Sequence, residues 1–85
     1  MKRYYVDTNG YAMVVFADNS GKAFVIGEES FDEPLTLDVA KNADYGNLEN
    51  CETAEECAYA MGYDVFSSVF EFKDIAENAE KVVKF

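Results

Sequence analysis

The pair Asn9-Gly10 constrains this 85-residue chain more than any other feature. Both residues accept a positive φ, as a two-residue turn between antiparallel strands requires, and residues rich in Tyr, Val and Phe flank them on both sides. Lys2 to Thr8 and Tyr11 to Ala17 are therefore expected to form a hairpin. A two-residue loop also sets the register, with Thr8 opposite Tyr11, Val6 opposite Met13 and Tyr4 opposite Val15. One face then holds Tyr4, Val6, Met13 and Val15. The other holds Arg3, Tyr5, Asp7, Ala12, Val14 and Phe16. The turn cluster Asp18-Asn19-Ser20-Gly21 leads into a third strand, Lys22 to Gly27. A four-residue second turn puts Phe24 and Ile26 on the first face and a three-residue turn puts them on the second, and the sequence leaves both open. Tyr5, Val14, Phe16 and Val25 make the second face apolar as well, which calls for cover on both sides. The expected cover is a layer within the chain, from a strand between Phe66 and Phe72 or from the last helix. The alternative is a homodimer through that sheet face or through a sheet edge.

Beyond the meander, Thr36 caps a short helix running to about Ala43, with Leu35, Val39, Ala40 and Ala43 inward. Thr53-Ala54-Glu55-Glu56 is a capping box in which Thr53 meets the Glu56 amide and the Glu56 side chain returns to the Thr53 amide. Ala54, Cys57, Ala58 and Met61 keep helical spacing, and Gly62 stands where a left-handed C-terminal residue belongs. Alternate aromatics predict a strand over Val65 to Lys73. Asp74 to Lys81 reads as a last helix, and Val82 to Phe85 either continue it or form an edge strand. The expected fold is a single α+β domain over residues 1–85. It has a small antiparallel sheet, the N-terminal three-stranded meander plus a later strand, with two or three short helices on one face.

Charge divides function classes. Seventeen acids face seven Lys and Arg, and there is no His, for a net charge of −10. That charge argues against direct nucleic-acid binding and against anionic membranes. The absence of His removes the commonest general base and metal ligand. Cys51 and Cys57 lack a base, so they read as core or incidental thiols rather than a nucleophile, a disulfide or a zinc site. No phosphate-binding glycine loop or calcium-loop spacing occurs, and a domain this small is not expected to form a pocket of about 300 Å3 while keeping a core. No catalytic residue, metal or cofactor is expected, and an enzyme is the least favoured class. No signal-peptide pattern follows Lys2-Arg3, and the longest apolar run, Ala12 to Ala17, is too short for a membrane span. A soluble cytoplasmic protein is the expectation.

The charge is also uneven. Residues 1–27 carry a net +1, residues 28–56 hold ten acids against Lys41 alone, and residues 57–85 carry −2. In the middle third, Glu52, Glu55, Glu56 and Tyr59 recur at helical spacing on one outward side. Glu28, Glu29, Asp32 and Glu33 surround Phe31 in the preceding loop. With Asp44, Tyr45 and Glu49, these residues are the candidate partner-binding face, provided that the two segments pack side by side. The ordinary explanation of such acids is a solvated helix face and a favourable helix dipole. A net of −9 over 29 residues nevertheless opposes compaction by self-repulsion, and a basic partner would relieve it. The acidic run Glu28 to Glu33, with Glu52, Glu55 and Glu56 in a compact domain without His, resembles small acidic phage and mobile-element inhibitors of the anti-CRISPR or DNA-mimic type. That resemblance implies a basic, nucleic-acid-binding protein as partner, and inhibition of a nuclease complex by occupying a site meant for DNA or RNA.

Overall fold

The computed structural model describes residues 1–85. The Asn9-Gly10 turn closes as expected, with φ of 51° and 78°. It joins β1 (Lys2–Thr8) to β2 (Tyr11–Ala17) in the expected register, from Thr8 opposite Tyr11 to Lys2 opposite Ala17. The second turn is the three-residue form. Asp18 and Lys22 close it, and Gly21 takes the left-handed position at φ 88°. Phe16 therefore lies opposite Phe24, and Val14 opposite Ile26, in β3 (Lys22–Gly27), so Phe24 and Ile26 join the Tyr5 face.

Three helices cover that face: α1 (Leu37–Asn42), α2 (Ala54–Ala60) and α3 (Val65–Ser68). Thr36 caps α1, its hydroxyl accepting from the Val39 amide. Thr53 caps α2 through the Glu56 amide at 3.1 Å, but the Glu56 carboxylate reaches the Glu52 amide rather than that of Thr53. At the other end of α2, Gly62 N–H donates to Tyr59 and Tyr63 N–H to Ala58, a Schellman closure around Gly62 at φ 77°. The inward side of α2 is Ala54, Cys57 and Ala58, all fully buried. These small side chains let the helix lie close upon β3, where Phe24 supplies the bulk. A short 3-10 segment, Gly46–Asn50, fills the gap between α1 and α2. Three residues per turn align Tyr45 with Leu48, and both point into the core.

Val65 to Lys73 is not one strand. The Asp64 carboxylate accepts from the Phe66 amide and the Ser67 hydroxyl, which starts α3 instead. Only β4 (Val69–Glu71) pairs with β3. Phe72 then opens α4 (Phe72–Glu77), two residues earlier than the expected helix, with its amide on the Gly21 carbonyl. This helix crosses to the opposite face, where Phe72, Ile75 and Ala79 pack against Val6, Val15 and Ala23. The chain ends in β5 (Lys81–Lys84), an edge strand beside β1, giving the antiparallel order β4-β3-β2-β1-β5. The fold is thus α+β, with three short helices on one sheet face and a fourth on the other. Both apolar faces are covered within the chain. No helix is long and apolar enough to cross a membrane.

Candidate functional site

The acidic residues take their places from the two ends of β2 and β3. Glu28 and Glu29 directly follow β3, in a 3-10 turn beside the start of β2. Glu28 accepts from the Ala12 amide at 3.4 Å, and Glu29 accepts from the Tyr11 hydroxyl at 2.6 Å. The Tyr11 bond holds the Glu29 carboxyl below its ordinary pKa. At the far end of the strands, Asp18 fixes the start of α2 by accepting from the Ala54 amide at 2.9 Å. From there α2 runs along β3, so that Tyr63 comes over Phe24, with ring centroids 5.9 Å apart.

This geometry separates the candidate residues. Glu52, Glu55 and Glu56 lie at the Asp18 end, while Glu28, Glu29, Asp32 and Glu33 lie at the Tyr11 end. The two groups lie toward opposite ends of α2, whose seven residues rise about 10 Å. The candidate acids thus fall into two regions, one toward each end of α2.

The region on α2 is a row of exposed carboxylates with Tyr59 beyond them, 83% exposed. The other region surrounds Phe31. Asp32, Glu33 and Asp38 line one shallow indentation beside Phe31. A second, of about 420 Å3, shares Phe31 and Asp32 and continues over Ile26, Tyr45, Leu48 and Met61, with Asp44 at its margin. The expectation that so small a chain forms no indentation of this size is therefore corrected, although the hollow is open to solvent. It lies where the 3-10 turn after β3, the Gly46–Asn50 segment and the end of α2 come together.

Two candidates have structural roles instead. Tyr45 is buried, donating to the Ala40 carbonyl at 2.6 Å and meeting Phe16 edge to face. Burial raises its pKa, and Arg3 partly opposes this. Glu49 pairs with Arg3 at 3.8 Å, and the Arg3 guanidinium lies 5.7 Å and 5.4 Å from the Phe16 and Tyr45 ring centroids. Arg3 thereby clamps the 3-10 segment onto the sheet. Asp44 accepts from the Gly46 amide at 2.9 Å through one carboxylate oxygen, and the residue lines the hollow.

Sequence reasoning missed Asp38, Ile26, Leu48 and Met61. Asp38 carried a usable signal, an acid in the first turn of a Thr-capped helix next to the acidic loop. Met61 carried none, since its spacing marks it as core and yet it is 43% exposed. No group of three or more Cys, Asp or Glu side chains is arranged to hold a metal ion. No family model matches this chain, and neither does any curated protein or solved structure.

Proposed function

We propose that this chain is a non-enzymatic acidic protein-binding domain. It acts as an inhibitor by occupying the nucleic-acid-binding site of a basic partner, such as a CRISPR nuclease complex. One observation carries the reading. Of the ten acids between residues 28 and 56, only Glu49 has an ion-pair partner, because the two salt bridges of the molecule are Arg3–Glu49 and Lys22–Glu71. Acids serving stability alone gain most beside cations; these nine have none, although Glu28, Glu29, Asp44 and Glu56 accept hydrogen bonds. Exposed carboxylates in a row can stand in for phosphates, and association through them is steered by charge and weakened by salt.

The test is affinity capture from bacterial lysates that contain CRISPR nuclease complexes, at low and moderate salt, with DNA as competitor. The expected result is a basic nuclease component that DNA displaces and that the triple variant E52K/E55K/E56K does not retain. Empty captures at both salts, or undiminished capture by the triple variant, would remove the reading.

A further inference from the structure

The hollow between Phe31 and Met61 combines features that neither acidic region has alone. Buried Ile26 and Leu48, half-buried Phe31 and exposed Met61 give it an apolar lining, and the exposed Asp32 and Asp44 line it as well. Asp32 has no hydrogen-bond or ion-pair partner in the protein, and one Asp44 oxygen is likewise free. An aliphatic ligand would leave these carboxylates facing an apolar group. An anion would be repelled. A lysine would gain the charge but present no flat surface to the Phe31 ring.

The geometry points to this hollow as a receptor for one arginine side chain of a partner protein. The methylene stem would lie along Met61 and Phe31, and the planar guanidinium would reach the Asp32 and Asp44 carboxylates. Arginine suits such a site because its stem is apolar, while its head stacks on rings and forks onto carboxylates. The inference rests on the proposed function in taking the partner to be basic. It adds the residue recognised and a location at the C-terminal end of α2, beyond the row of carboxylates.

The probe is the blocked peptide acetyl-Gly-Arg-Gly-amide, titrated into the full chain and followed by the NMR signals of the Met61 methyl and the Phe31 ring. Lysine and citrulline versions serve as controls, citrulline being nearly isosteric with arginine but uncharged. Saturable shifts at both residues are expected with arginine, with binding roughly three- to fivefold weaker for lysine. The variant D32N/D44N should weaken the arginine peptide about fivefold or more, because the charge-assisted bonds are lost. The amide introduced by D44N keeps a carbonyl oxygen that can accept from the Gly46 amide, so the fold is retained.

Equal response to arginine and citrulline, no effect of D32N/D44N, shifts confined to the α2 row, or no shift at all would each overturn the site. So would a concentration-dependent dimer that shifts the Met61 and Phe31 signals, since a second copy would then be the occupant. Partner capture separates the two claims. Loss of the partner by E52K/E55K/E56K with full retention by D32N/D44N overturns the arginine site and leaves the function standing. Peptide binding without any captured partner does the reverse.

Discussion

Asp18 shows how one side chain can join two parts of this fold. Its carboxylate accepts from the Ser20 amide and hydroxyl and the Lys22 amide, which shape the second turn, and from the Ala54 amide, which anchors α2. Burial acts to raise its pKa, but these donors together outweigh that and hold it below the ordinary value. A carboxyl depressed in the folded state stabilises fully above its unfolded pKa of about 3.9, and the contribution disappears as pH falls through the folded value. The variant D18N puts an amide donor against at least one of these donors. It is expected to cost about 1–3 kcal/mol at pH 7 in urea unfolding. The gap to the parent protein should shrink below about pH 4, and a gap that widens in acid would contradict the assignment. Cys57 makes a second residue-scale case. Burial first, then Cys51 and Glu56, push its thiol up to about 12. A thiol reagent at neutral pH should therefore label Cys51 alone, with the second site appearing only on unfolding. Two rapid modifications of the native protein would show that the α2 core opens readily.

At the scale of elements, the close of α2 gives a clean measurement. A Cβ added at Gly62 meets nothing within 4 Å, so Gly62→Ala tests only the left-handed backbone at φ 77°. The expected loss is about 1 kcal/mol, as a lower urea midpoint with unchanged slope. A larger loss with an altered slope would mean that α2 and α3 come apart. The hairpin, the α1 cap and this C-terminal glycine were legible in the sequence because local chemistry decides each of them. The second turn was legible in principle, since Gly21 as the last residue of a three-residue loop is the one placed for a left-handed bulge. Other elements depended on competition between signals. The alternating aromatics of 65–73 yield to the Asp64 cap, and Phe66 ends up 97% exposed as a result. Tyr45 could be read as a surface aromatic only while the 3-10 turn that aligns it with Leu48 was unknown. The separation of the acidic regions was not legible at all, because it depends on α2 running along β3 rather than across its end.

For the whole molecule, the balance of charge makes an unusual demand on stability. The folded chain measures 27 × 26 × 20 Å, with a radius of gyration of 11.8 Å. Unfolding would expand that radius to about 29 Å and move the excess acids apart. At 10 mM salt the screening length of about 30 Å exceeds the molecule, so every carboxylate acts on every other; at 150 mM it is about 8 Å, and only neighbours interact. Screening also weakens the Arg3–Glu49 and Lys22–Glu71 pairs, which are solvent-exposed and so contribute little. With 17 acids against 7 bases, repulsion is the larger quantity. The melting temperature should therefore rise between 10 and 150 mM NaCl and then level off. A gain of about 1 kcal/mol corresponds to roughly 4–8 °C for a domain of this size. Scanning calorimetry at constant pH measures it, and a melting temperature that falls with salt would mean that the carboxylates are internally compensated. In that event the unpaired acids would no longer argue for a basic partner, and the proposed function would lose the physical reason on which it stands.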